Sequence, residues 1–183
     1  MAKKWKVVFL VFFSIVVILV CVVAIMRVGT QGASPQETVN YDKDGLKLEV
    51  VYCRPYKKGR LIFGTKEAGA LQPFGQYWRL GANDATSLKL NRDVTFAGRP
   101  LKAGRYAVYA VPGEKTWQIG INSEANRWGK AEPDYSKDVL TVDVPVIYTD
   151  EVTEQLKINF EPTKTGANMV IRWENAMVVI PIG

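Results

Sequence analysis

Residues 103–122 read AGRYAVYAVPGEKTWQIGIN, two alternating runs hinged on a turn. Tyr106, Val108 and Ala110 share one face of the first run, and Trp117, Ile119 and Ile121 share one face of the second. A period of two places side chains on one side of an extended backbone, and Pro112-Gly113-Glu114-Lys115 between the runs is turn chemistry. The stretch therefore predicts two antiparallel strands that bury one face.

The pattern repeats on both sides. Upstream, Leu46, Leu48, Val50 and Tyr52 alternate with polar residues, Leu88 and Leu90 flank Lys89, and Val94 and Phe96 flank Thr95. Downstream come Leu140, Val142 and Val144, then Val152, Leu156, Ile158 and Phe160, then Met169, Ile171 and Trp173. Glu174-Asn175 reads as a connection to a last run, AMVVIPI, and KEAGALQ at most makes a turn or two of helix. Short period-2 runs separated by turn signals predict an all-β domain, an antiparallel β-sandwich of jelly-roll or immunoglobulin-like type, over residues 40–183.

The N-terminus is of another kind. Residues 7–26, VVFLVFFSIVVILVCVVAIM, carry no charge, and sixteen of these twenty are Val, Ile, Leu or Phe. Twenty helical residues span about 30 Å, the hydrocarbon thickness of a bilayer. A lone segment in lipid satisfies its backbone only as helix, whatever the propensity of Val and Ile in water. The reading is a transmembrane helix over 7–26 that stays attached as a signal anchor. A cleaved signal peptide is the rival, but its apolar core should be shorter, and Ile25-Met26-Arg27 offers no small-residue cleavage pattern. Val20 before Cys21 also disfavours a lipoprotein site. Lys3, Lys4 and Lys6 precede the span and only Arg27 closely follows, so a tail of residues 1–6 is expected in the cytoplasm. A linker over 27–39 and the β-domain would then lie outside the cytoplasmic membrane.

Composition narrows the chemistry. The net charge of +6 is concentrated at the start: residues 1–27 hold four Lys/Arg and no Asp/Glu, leaving 20 cations against 18 carboxylates, with no footprint for nucleic acid. There is no histidine, which removes Ser-His-Asp and Cys-His machinery and the usual zinc sites. Of the two cysteines, Cys21 falls in the apolar run, so Cys53 is alone in the β-domain and reads as a small packed residue at a strand end. Neither metal nor cofactor is expected.

Taken in order, RPYKKGRLIFG, PFGQYWRLGANDAT, AGRYAVYAVPGEKTWQIGIN and NRWG resemble a bacterial family known as domain of unknown function 2911. The resemblance runs from about Val39 to the C-terminus, and the WR-x-GAN-x-AT core, Trp78 to Thr86, is its most specific part. It implies an exported or envelope-associated protein and supplies no activity. Two departures are Cys53, where a small hydroxyl residue is commoner, and an N-terminus that looks like an anchor.

The segment WRLGAND, Trp78 to Asp84, packs an indole, a guanidinium, an amide and a carboxylate around one glycine. As a binding site, Trp78 would stack on a ligand and Arg79 would grip a carboxylate, phosphate or sugar hydroxyl. Asn83, Asp84 and Thr86 would add hydrogen bonds, joined by Arg54 and Arg60 of the RPYKKGR loop. As a structural turn, Trp78 would plug the core, Gly81 would supply a positive φ, and Arg79 would pair with Asp84 or strand-end carbonyls. Trp128, in EANRWGK, is either a carbohydrate platform or a lid on the core. Asp84, Glu114, Glu132, Asp134 and Asp138 are the acids a hydrolase without histidine could use, yet no spacing pairs two of them. The expected protein is thus no enzyme. It is an accessory or scaffold subunit beside a membrane or envelope protein, held in the lipid bilayer by residues 7–26. The alternative is a binding module for carbohydrate, a cell-wall fragment or a small anionic ligand.

Overall fold

The computed structural model describes the backbone from residue 2 to residue 183; the side chains of residues 1–4, 7, 24–28, 30 and 31 lie outside the described set. Two compact units result, residues 1–33 and 34–183. The first is one helix, α1 (Ala2–Ala33). Its described Phe, Val, Ile and Leu side chains between Val8 and Val23 are all exposed, and Ser14 returns its hydroxyl to the Leu10 carbonyl at 2.9 Å. Among the described residues no helix is long and apolar enough to cross a membrane. The span expected over 7–26 extends to residues 7 and 24–26, whose side chains lie outside the described set. Over the expected linker, α1 continues to Ala33 and the first strand begins at Gln36.

The second unit is mostly antiparallel sheet, sandwich-like in plan. Its strands are β1 (Gln36–Lys43), β2 (Leu46–Cys53), β3 (Phe63–Gly64), β4 (Gln72–Pro73), β5 (Thr86–Leu90), β6 (Val94–Phe96), β7 (Arg99–Leu101), β8 (Gly104–Val111), β9 (Thr116–Asn122), β10 (Asp138–Pro162) and β11 (Ala167–Ile182). Nine pair in the order β1-β2-β5-β8-β9-β10-β11-β6-β7, while β3 and β4 form a small parallel pair. The run β8-β9-β10-β11 is a meander, unlike the Greek-key connections of immunoglobulin and jelly-roll sandwiches.

Two strands are much longer than the alternation predicts. β10 covers 25 residues: Asp138–Pro145 pairs with β9, and Val146–Pro162 with β11. One strand thus passes from one layer to the other. The register shifts between Tyr148 and Thr153, a bulge that bends the strand. Glu174 and Asn175, expected as a connection, lie inside β11 opposite that bulge, with Glu174 at φ 56°. Residues 66–69 form turns and no helix. The chain after β2 lies along the free side of β10, where Leu156 N–H donates to the Pro55 carbonyl at 3.0 Å and Lys57 N–H to that of Glu154 at 2.7 Å.

The alternating residues fill the interior. Leu46, Leu48, Val50, Leu88, Ile119, Ile121, Ile158 and Ile171 are buried. At the centre, Trp78 stacks on Trp173 (5.7 Å, 23°) and meets Trp117 edge-on (5.5 Å, 86°), with Phe63 against all three. The Nε1 atoms of Trp117 and Trp173 are buried without a hydrogen-bond partner. Large aromatic burial dominates here even at the cost of two orphaned donors.

Candidate functional site

WRLGAND leaves the core between two of its own residues. Trp78 is buried, exchanges two 2.8 Å backbone hydrogen bonds with Ala110, and donates Nε1–H to the Gly81 carbonyl at 3.3 Å. Arg79, next in sequence, is half-buried and donates Nη1–H to the Asn83 carbonyl at 3.1 Å. The positive φ angles fall at Leu80 (55°) and Asn83 (59°), not at Gly81. Gly81 is required for space: a Cβ there would lie 2.9 Å from the Cys53 carbonyl oxygen and 3.3 Å from Thr86 Oγ1. The expectation that this glycine supplies a left-handed turn is corrected, because the loop crosses the end of β2 in close contact. Thr86, fully buried, donates its hydroxyl to the Leu80 carbonyl at 2.8 Å.

A second segment closes over the first. Ala85 N–H donates to the Arg127 carbonyl and Gly129 N–H to the Asn83 carbonyl, both at 3.1 Å, and Asp84 forms a bridge with Trp128. The NRWG stretch is therefore zipped to WRLGAND as a short antiparallel ladder. Gly129 permits the approach, since a Cβ there would fall 2.9 Å from Arg79 Cδ and 3.0 Å from Ala85 N. Arg127 lies 5.6 Å over the Tyr77 ring and donates to the Tyr77 hydroxyl (2.6 Å) and the Ala131 carbonyl (2.7 Å). Tyr77 in turn donates to the Gly129 carbonyl at 3.0 Å.

Beneath this clamp lies the outward face of β8 and β9. Tyr109 stands over Gly120, where a Cβ would be 2.0 Å from the ring. Its hydroxyl donates to Asp138 Oδ2 at 2.5 Å, and Asn122 donates to Asp138 Oδ1 at 2.7 Å. Tyr77, Tyr109 and Tyr135 follow one another at 5.7 and 5.8 Å between ring centres.

Burial, then the Asp138 hydrogen bond and charge, pushes Tyr109 well above the usual phenol range. Burial and Glu132 push Tyr135 up to about 12. Tyr77 rises through burial, which outweighs the cation of Arg127 beside it. Burial likewise lowers Arg79 and raises Cys53. The Asn83 side chain and the Asp84 backbone hydrogen-bond the Cys53 sulfur and act against that rise without cancelling it.

The structure thus unites Arg79, Asn83, Asp84 and Trp128 above Thr86, and sends Trp78 into the core. Arg54 and Arg60 are engaged elsewhere. Arg54 Nε lies 3.1 Å from Glu37 Oε2 and 3.2 Å from the Leu156 carbonyl; Arg60 donates to the carbonyls of Tyr56 and Lys57. Tyr77, Tyr109, Asn122, Arg127, Tyr135 and Asp138 were not anticipated as partners of the motif. The period of β8 carried a signal, because Tyr109 falls on the same face as Arg105 and opposite Gly120. Trp128 (44% exposed) and Tyr135 (46%) are the large aromatics the clamp leaves at the surface. Among the described residues, no group of three or more His, Cys, Asp or Glu is placed to hold a metal.

An all-β, mostly antiparallel domain whose WR-x-GAN-x-AT loop is locked by NRWG defines the class of protein. The family described as Protein of unknown function (DUF2911) matches residues 34–182, and the chain belongs to it. No curated protein and no solved structure matches the chain.

Proposed function

We propose that the chain is a membrane-tethered, extracytoplasmic β-domain that acts as an accessory or scaffold subunit of a membrane or envelope complex. The observation that carries the reading is α1: its described apolar side chains from Val8 to Val23 are exposed around the whole helix, with only Ser14 polar and Cys21 small among them. A helix apolar on every side requires an apolar surrounding, and lipid supplies one. The three lysines before the run orient the tail toward the cytoplasm. The motif loops favour the same role, since Arg79, Arg127 and Tyr77 donate to the carbonyls of Asn83, Ala131 and Gly129, and Arg127 also to the Tyr77 hydroxyl.

Alkaline carbonate washing should leave the full chain in the membrane pellet, and gentle detergent extraction should give a particle larger than the chain with its micelle. A chain released by carbonate ends the tether reading; a solitary chain at native expression ends the scaffold reading. The second reading, a module for carbohydrate or a cell-wall fragment, rests on Trp128 and Tyr135, two exposed aromatics on one loop. Binding of peptidoglycan fragments that Trp128→Ala abolishes would favour it over the first.

A further inference from the structure

We infer that the free edge of β1 is a homodimer interface, at which a second copy of this chain adds its own β1 in an antiparallel register centred on Asn40. The inference concerns the 34–183 unit alone and does not depend on the tether reading. The nine-stranded sheet has two outermost strands, β1 and β7. An outermost strand offers unpaired N–H and C=O groups, and solitary folds blunt it by short length, proline, a bulge or charge. β7 is blunted: it has three residues, and Pro100 is the middle one. The free side of β10 is covered by the backbone of Pro55 and Lys57. β1 carries none of these devices at its centre. It is eight residues long, pairs with β2 without a register shift, contains no proline and keeps its charges toward its ends.

The groups that face outward follow from the pairing on the other side. Arg54 N–H donates to the Pro35 carbonyl at 2.9 Å. Mutually bonded pairs therefore continue in steps of two as Glu37–Tyr52, Val39–Val50, Tyr41–Leu48 and Lys43–Leu46. The Asp44-Gly45 turn, with φ of 51° and 76°, closes the last pair as a two-residue hairpin. On the far side of β2, Asn91 N–H donates to the Lys47 carbonyl at 3.2 Å, which assigns the odd residues of β2 to β5 and the even ones to β1. The N–H and C=O groups of Gln36, Thr38, Asn40 and Asp42 thus point away from β2. All four residues are exposed, and among the described residues their backbone groups have no hydrogen-bond partner.

The strand is complementary to itself in one register. Two antiparallel copies bond where outward-pointing groups meet, even residue against even residue. Centred on Asn40, the bonded pairs are Thr38 with Asp42, Asn40 with Asn40, and Asp42 with Thr38 of the second copy. Glu37 then faces Lys43, twice by symmetry, and Val39 faces Tyr41. Glu37 takes Arg54 at 3.1 Å and the Tyr52 hydroxyl at 2.6 Å, both on Oε2, which leaves Oε1 for a further cation. Lys43 is exposed and has no ion pair among the described residues. Val39 and Tyr41 are only partly buried against the core, and the added strand covers them. Moving the centre to Val39 sets Glu37 against Tyr41, and moving it to Tyr41 sets Lys43 against Val39, so neither joins opposite charges. A foreign extended peptide would find the same backbone groups without this charge pairing, which selects the second copy.

The test measures the mass of the full chain in mild detergent across a concentration series, by light scattering corrected for bound detergent. A dimer that dissociates on dilution is expected. Asn40→Pro deletes an outward N–H and no bond to β2, so it should give a monomer that is folded by circular dichroism. Lys43→Glu sets two like-charge pairs across the interface and should weaken the dimer roughly tenfold. It removes no contact within the domain, so it decides the matter if the proline variant fails to fold. Glu37→Lys should weaken the dimer likewise, and mixing these two charge variants should restore a mixed dimer. Cysteines read the register, with Cys21 replaced by Ala and Cys53 left buried. Asn40→Cys would meet its own copy at about 5.5 Å between Cα atoms, within disulfide reach, and should cross-link under mild oxidation. Thr38→Cys and Asp42→Cys, off the symmetry axis, should not. A monomer at every concentration, a dimer indifferent to both Asn40→Pro and Lys43→Glu, or cross-linking at 38 or 42 but not at 40 overturns the inference. So does a particle in which β1 holds a different protein and no second copy. Release of the chain by carbonate, which ends the tether reading, leaves this inference standing.

Discussion

The two faces of β8 and β9 are packed on opposite principles. Inward, Val108, Ala110, Trp117, Ile119 and Ile121 meet Trp78 and Trp173, and the interior accepts two indole nitrogens without partners. Outward, Tyr109, Gly120 and Asn122 lie under the clamp, and their side-chain polar atoms have assigned partners: Asp138, Asp134 and the Glu124 N–H. The inner face is held by area, which is large and tolerant of detail. The outer face is held by fit and hydrogen bonds, smaller per residue and intolerant of a displaced atom. Trp78 and Arg79 are adjacent residues that serve one face each, so a single peptide ties the two regimes together.

The largest expected effect tests the inner face. Trp173→Ala should cost about 3–5 kcal/mol, read from the denaturant midpoint at constant slope. Trp173→Phe should cost far less, because it removes the unpartnered Nε1–H along with part of the ring. If the phenylalanine variant proves as damaging as alanine, area does not govern this face and the contrast fails.

Gly120→Ala probes the outer face. The new methyl group would stand on Tyr109, so the ring must leave and break its bond to Asp138, at a cost of about 1–3 kcal/mol. Adding Tyr109→Ala should relieve the clash, so that the double variant is less damaged than the sum of the two single ones. Strict additivity would mean that ring and glycine are not packed as described.

Asn83 sharpens the contrast at smaller scale. Its φ of 59° favours Asn or Gly, so Asn83→Ala should cost about 1–2 kcal/mol through the backbone and the lost Cys53 partner. Asn83→Gly should cost less, since it keeps the backbone and loses only the amide. Equal losses in thermal and chemical unfolding would place the whole effect in the side chain.

How far these features could be read beforehand depends on range. The alternation around PGEK sufficed for two strands and for Trp117, because period 2 is a local property. Pro145 and Glu174-Asn175 look like breaks locally, yet β10 and β11 run through them, since pairing on a neighbouring strand overrides propensity at a bulge. In WRLGAND the choice between site and turn was undecidable from residue type. What residue type could not show is the long-range partner: NRWG, more than forty residues away, pairs with this loop through the Ala85 and Gly129 N–H bonds and the Asp84–Trp128 bridge. Gly81 misled for a related reason: a glycine needed for close approach and one needed for positive φ look identical in sequence.

The smallest effect at neutral pH concerns the tyrosines of the outer face. Tyr77, Tyr109 and Tyr135 all have folded-state values raised above the usual value of about 10, first by burial and then, for Tyr109 and Tyr135, by Asp138 and Glu132. A raised folded value means that the folded state holds its proton longer. The contribution is whole below about pH 10 and drains as pH rises from there through the folded value, which for Tyr135 is about 12. Stability should therefore be flat from pH 7 to 9 and fall above about 10, read from the denaturant midpoint at each pH. Tyr109→Phe should flatten that decline more than Tyr135→Phe, because Tyr135 is half exposed and solvent screens it. Tyr52 rises similarly through burial and Glu37 but stands on the inward side of β2, so Tyr52→Phe separates its share of the alkaline slope from that of the clamp. If that substitution alone flattened the curve, the outward cluster would be held by packing as the inner face is, and the distinction between the two faces would dissolve.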